Sequence, residues 1–266
     1  MDFALSLGGG SALRIRVGKF ATLVGEETIN PTTNYFYSHT YEFGYAIPFT
    51  NTGVMAQYVL NSEWSFWAGV TRPWNQSTRA VPDSLNFLTQ VDWTPSNAPY
   101  SLIVNYIVGP NDYGINDAGS VVGDYSHERS VLDVIGTYTG INNLTLLADV
   151  DWGYDGANSP DGSGSSNWFA VALYQSYVIN SYLTFNTREE YYFDGNGATI
   201  LLTPPGVDGN YGDLTAGFTI TPMPNSNLGK HFTIHPEIRE DLADHGVLSN
   251  GKHYQTTVGI DAIYTF

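Results

Sequence analysis

The sequence has no cysteine among its 266 residues, so no disulfide staples the fold and no thiolate chemistry is available. Basic residues are nearly as scarce. Lys and Arg total 10, scattered along the chain, against 26 Asp and Glu, for a net charge of -16. Phosphate binding needs clustered cations, so a nucleic-acid partner is excluded. Charged residues make up only 14% of the chain, against about 25% in soluble domains. No run approaches the roughly 18 apolar residues of a spanning helix; Phe169 to Tyr174 is among the longest. A helical membrane protein is excluded. The start, Met1-Asp2-Phe3-Ala4-Leu5, lacks the basic and apolar regions of a signal peptide.

Aromatic residues, by contrast, are plentiful at 14%, and mean hydropathy is only -0.17. Apolar and polar residues are therefore finely mixed, as a ribbon with lipid on one side and water on the other requires. Strict alternation runs from end to end. At the C-terminus Tyr254, Thr256, Val258, Ile260, Ala262, Tyr264 and Phe266 share one face, while Gln255, Thr257, Gly259, Asp261, Ile263 and Thr265 fall on the other. Leu144, Leu146, Ala148, Val150 and Trp152 likewise oppose Thr145, Asp149 and Asp151. About 12 such segments appear, each near the 9–11 residues of a tilted membrane strand. They start near residues 12, 53, 63, 84, 99, 128, 142, 167, 181, 211, 229 and 253.

The connections alternate long (21–52, 72–83, 109–127, 153–166, 194–210, 241–252) and short, the loop rhythm of bacterial barrels. An even strand count places both termini on the short-turn, periplasmic side. Trp64, Trp93, Tyr100, Trp152, Trp168, Tyr182, Tyr264 and Phe266 lie at strand ends, where amphipathic rings form interfacial girdles. The expected fold is thus all-β: one transmembrane antiparallel up-and-down β-barrel domain over residues 1–266. The competing architecture is a secreted carbohydrate-binding β-sandwich, whose apolar face would be dry.

In a barrel the polar face lines the lumen. It carries Arg14, Arg16, Asp92, Asp133, Asp149, Asp151, Arg188, Glu190, Glu237, Arg239 and Asp261. Loop 21–52 is long enough to fold inward and constrict the passage, since irregular backbone is tolerated where it lines water. Glu26 or Glu27 on this loop is expected to face Arg14, Arg16, Arg188 and Arg239, setting a transverse field that tunes ion selectivity. The acid excess predicts mild cation preference.

Enzyme chemistry and metal binding have little footing. No Gly-x-Ser-x-Gly elbow is present. His231 and His235 fall on one strand face roughly 13 Å apart, too far to share a metal. The loop Asp155 to Gly164 lacks the spacing and closing Glu of a calcium loop. Neither a catalytic residue, a metal nor a cofactor is expected.

Several motifs carry a resemblance. Gly18-Lys19-Phe20-Ala21-Thr22 is followed by Gly25, Glu27, Pro31, Asn34, Tyr37-Ser38-His39 and Pro48-Phe49-Thr50-Asn51-Thr52-Gly53-Val54. Downstream stand Trp74-Asn75, Arg188-Glu189-Glu190, His235-Pro236-Glu237-Ile238-Arg239-Glu240-Asp241 and the final Phe266. In this order they resemble the OmpL-like β-barrel porin family over nearly the whole chain. Two positions depart from it: Asn51 stands where the family commonly has His, and Thr71-Arg72-Pro73 replaces a more usual Asn-Gly before Trp74. The resemblance implies a passive outer-membrane channel for small hydrophilic solutes such as sugars or ions, embedded in outer-membrane lipid and capable of forming a homo-oligomer. It also implies a signal peptide and further strands upstream, hence a larger full-length barrel truncated here at its N-terminus. Phe266 ending an alternating strand resembles the signal read by the outer-membrane barrel assembly machinery. A barrel enzyme or adhesin is the remaining alternative.

Overall fold

Period-2 alternation commits each segment to a strand with two unlike faces, and the sheet sorts those faces into two surfaces. The computed structural model describes residues 1–78, 84–110, 127–156 and 164–266. It contains thirteen strands: β1 (Asp2–Gly8), β2 (Ser11–Ala21), β3 (Thr50–Val59), β4 (Trp64–Thr71), β5 (Asn86–Trp93), β6 (Tyr100–Pro110), β7 (Glu128–Ile141), β8 (Leu144–Asp155), β9 (Ser166–Asn180), β10 (Leu183–Asp194), β11 (Gly209–Ile220), β12 (Phe232–Ala243) and β13 (Tyr254–Tyr264). They form one sheet in sequence order, each antiparallel to its neighbours. The edges, β1 and β13, are not paired with each other.

The twelve expected strands correspond to β2–β13. The thirteenth, β1, has only seven residues, exposed throughout, and ends at Gly8-Gly9-Gly10. Its presence corrects the placement of the termini. An odd number of antiparallel strands puts Met1 at the long-loop end and Phe266 at the short-turn end.

The two surfaces invert the usual soluble pattern. Asp133, Asp151, Arg188 and Asp213 are fully enclosed at 0% exposure, whereas Leu214 and Ile238 on the other face are 52% and 53% exposed. A sandwich would bury the apolar set, so that architecture is set aside. At the short-turn end Trp64 stacks on Trp93 and Tyr100 meets Trp93 edge-on, with centroids 5.6 and 5.5 Å apart, as in an interfacial girdle. Trp168 departs from the girdle expectation: it points inward and is fully buried.

The two surfaces make opposite demands on a substitution. Leu214→Arg should cost about 2–4 kcal/mol of folding stability in lipid vesicles. Thr219→Arg, on the opposite face of the same strand, should cost far less. Equal costs in a vesicle folding titration would mean that the exposed apolar face does not meet lipid.

Candidate functional site

The chain between β2 and β3 folds back across the enclosed face of β7–β12. Four carboxylates of that face hold its backbone amides. Gly25 N donates to Asp133 Oδ2 at 2.7 Å on β7, and Glu26 N to Asp149 Oδ2 at 2.7 Å on β8. Tyr37 N and Ser38 N donate to Glu237 on β12, at 2.8 and 3.1 Å. Tyr41 N and Glu42 N donate to the two oxygens of Glu190 on β10, at 2.8 and 2.6 Å. Charge-assisted bonds of this length are about twice as strong as neutral ones, and each satisfies an amide that an irregular loop would otherwise bury unpaired.

Arg188, on β10, is the centre of the arrangement. Its Nη1 donates to Glu27 Oε1 and to the Ser38 carbonyl, both at 2.8 Å, and its Nη2 lies 3.2 Å from Asp213 Oδ2. Glu27 is satisfied on both oxygens: Oε2 takes Thr40 N at 3.0 Å and lies 2.8 Å from His39 Nδ1, while Tyr174 OH donates to Oε1. Burial alone would raise this carboxyl, but Arg188 and His39 outweigh burial and hold it below the usual carboxylate range. Arg239, on β12, donates to the His39 carbonyl and pairs with Asp241.

Apolar packing completes the docking. A helical turn, Glu42–Ala46, rests on β8 and β9. Trp168 Nε1 donates to the Ala46 carbonyl at 3.1 Å, and the indole meets Trp74 edge-on at 6.4 Å. The Arg129 guanidinium lies over both rings, 4.5 and 5.0 Å from their centroids. Val24 and Ile47 are buried in the same cluster.

Nine of the residues singled out from the sequence therefore meet at one place: Glu26, Glu27, Asp133, Asp149, Asp151, Arg188, Glu190, Glu237 and Arg239. Four do not: Arg14, Arg16, Asp92 and Asp261. Arg14 is exposed. Arg16 pairs with Asp2 on β1 at 3.0 Å and lies over Trp67. Asp92 accepts from Thr94 Oγ1 at 3.1 Å near the short turns. The expected opposition of loop acid and wall base holds for Glu27 and Arg188 alone. Glu26 sits among acids, and burial, then Glu27 and Asp133, push its carboxyl up to about 7. His235 bonds Asp261 at 2.7 Å. Most of the Asp155 to Gly164 loop lies outside the described residues. Asp213 and Asp241 complete the pairing of the two arginines; the alternation marks neither as a site residue, and Asp241 enters only within the motif that carries the resemblance. Asp213 did lie on the polar face of β11, but its sign alone marked it no more than its neighbours.

Between the loop and β12–β13 a cavity of about 570 Å³ remains, lined among others by His39, Tyr41, Tyr45, Phe49, Arg239 and Asp241.

A single up-and-down sheet with an apolar outside, a charged inside and a long loop bound within defines the class of outer-membrane β-barrel proteins. The chain belongs to the family described as "Putative beta-barrel porin-2, OmpL-like", matched over residues 3–266. No curated protein sequence matches it. Among solved structures it is similar to in-vitro folded OmpT, an outer membrane protein of Vibrio cholerae, at TM-score 0.61 and 12% identity over 99% of this chain and 87% of that one. The outer membrane channel DcaP of Acinetobacter baumannii matches at TM-score 0.56 and 14% identity, over 96% and 74% of the two chains. OprB of Pseudomonas putida matches at 0.54 and 9%, over 99% and 71%. At these identities the likeness is one of fold.

Proposed function

We propose that the chain forms a water-filled channel of the outer membrane through which small hydrophilic solutes diffuse passively, with the loop at 21–52 as its constriction and no catalytic step. The observation that carries this reading is the docked loop. On this reading an irregular segment held on the charged face of a lipid-facing sheet would narrow the lumen. Family membership supports the same reading. The aromatic rings and the Arg239–Asp241 pair around the remaining cavity offer apolar faces beside charged hydrogen-bonding groups, which suits sugars as well as ions.

Selectivity follows from the carboxylates. They outnumber the arginines at the loop, so cations are preferred. Glu26 sets the pH dependence. Its carboxyl is raised from 4.5 to about 7 in the folded chain. The ionised form therefore opposes docking in full above about pH 7, and that penalty fades as pH falls from about 7 to 4.5. Glu27 acts the other way: its contribution is present above its unfolded value near 4.5 and is lost only at more acid pH. Docking is thus strongest near pH 4.5 and weakens on either side, while cation preference rises as Glu26 ionises. Planar-bilayer reversal potentials should show cation preference at pH 8 that weakens at pH 5.5, and Glu26→Gln should flatten this change. Absence of conductance, or anion preference at pH 8, would overturn the reading.

A further inference from the structure

The docked loop leaves carboxylate oxygens without donors. Among the described residues, Glu42 Oε1 and Oε2, Asp151 Oδ1 and Oδ2, Asp133 Oδ1 and Asp149 Oδ1 are buried and receive no hydrogen bond. Glu42 is 1% exposed and Asp151 0%, and the two carboxyls abut closely enough to share a proton. Asp133 and Asp149 abut in the same way. The charged side chains around Glu42 include Asp149, Asp151, Glu190 and Asp133, all acidic. The nearby guanidinium of Arg188 is committed to Glu27, Ser38 and Asp213.

Carboxylates in contact need a proton or a cation between them. A shared proton accounts for Asp133 and Asp149, because each has one unpartnered oxygen and one O–H···O bond satisfies both. It does not account for Glu42 and Asp151. That pair has four unpartnered oxygens, and one proton serves two of them. A hard divalent cation accepts several carboxylate oxygens at once, mono- or bidentate, and completes its shell with water.

We infer that Glu42 and Asp151 hold a divalent cation of calcium type between the loop's helical turn and β8, with Asp149 alongside. Among the described residues no three acidic or histidine groups are already arrayed as a metal site, so the pair and water supply the shell. The cation would tie Glu42, at the start of the helical turn, to the wall. Glu42→Gln or Asp151→Asn would remove one of the two ligands. This inference goes beyond the channel reading and does not require conduction.

The test is terbium luminescence on the detergent-purified protein, with Tb³⁺ as the calcium probe. Trp168 bonds the last residue of the same helical turn, so tryptophan excitation should sensitise bound Tb³⁺. Saturable emission that Ca²⁺ competes away is expected, with affinity at least tenfold weaker in Glu42→Gln and in Asp151→Asn. Glu240→Gln, a half-buried acid on the opposite face of β12, should bind as the parent does. Retention of heat-modifiable gel mobility shows that each variant is folded. Binding unchanged in both site variants, or emission insensitive to Ca²⁺, would overturn the inference. So would a carboxylic-acid infrared band at neutral pH that Glu42→Gln abolishes and Ca²⁺ leaves in place, because the pair would then share a proton. A channel that conducts but binds no Tb³⁺ would refute the cation site and leave the channel reading standing.

Discussion

Arg188→Met should release the loop and raise single-channel conductance severalfold. The substitution leaves Glu27 and Asp213 buried at 6% and 0% exposure without their guanidinium. Removing one partner of a buried pair costs about 3–5 kcal/mol, because the remaining charge is uncompensated. The Ser38 carbonyl loses a donor in the same step. Undocking is the cheapest relief, since it returns Glu27 to water while the strands stay paired. The loop should then be cleaved by added protease when the parent is not. Glu27→Gln should be milder, because the amide oxygen still accepts from Arg188. The double variant Arg188→Met with Glu27→Leu should recover part of the loss, the two residues being directly coupled. Parent-like conductance in folded Arg188→Met would show that the loop does not limit the passage.

The second large effect is expected at Gly153. This residue sits on β8 directly opposite Trp168 of β9, and the indole lies across it. A Cβ built on Gly153 would fall 1.8 Å from the ring. Gly153→Val therefore expels the indole from its slot. The Nε1 bond to Ala46, the edge contact with Trp74 and the Arg129 stacking go with it. The cost should be about 3 kcal/mol or more, comparable to losing a buried tryptophan. Near-UV circular dichroism reports the indole directly, and thermal or urea unfolding in detergent reports the stability. Gly136→Val is the control. A Cβ there meets nothing within 4 Å, so its stability should stay within about 0.5 kcal/mol of the parent. Equal loss in both variants would mean that the Gly–Trp pairing is not what seats the loop.

The strands were legible because lipid and water impose opposite chemistry on alternate residues. Asp149 and Asp151 against Val150 and Trp152 declare their faces without any tertiary information. β9 shows where that signal ends. Trp168, Ala170 and Ala172 point inward while Phe169, Val171 and Leu173 alternate with them, so both faces are apolar and neither announces itself. Hence Trp168 reads as a girdle residue but is a core one. β1 is not legible in the pattern because seven residues before a triple glycine are too short a run. At the site, the Glu27–Arg188 pair could be anticipated from opposite charges on a long loop and a facing strand. The grip of Asp133, Asp149, Glu190 and Glu237 could not, because their partners are backbone amides, which every residue except proline possesses. Arg16 fell away from the loop because Asp2, unseen as part of a strand, lies beside it.

That amide grip separates where the loop sits from what it displays. Gly25, Glu26, Tyr37, Ser38, Tyr41 and Glu42 are held by main-chain atoms that no substitution except proline removes. The side chain of Tyr37, which is exposed, is therefore open to replacement without moving the segment that carries it. A filter suspended in this manner can be re-tuned one position at a time, by natural drift or by a designer, while its scaffold stays unaltered.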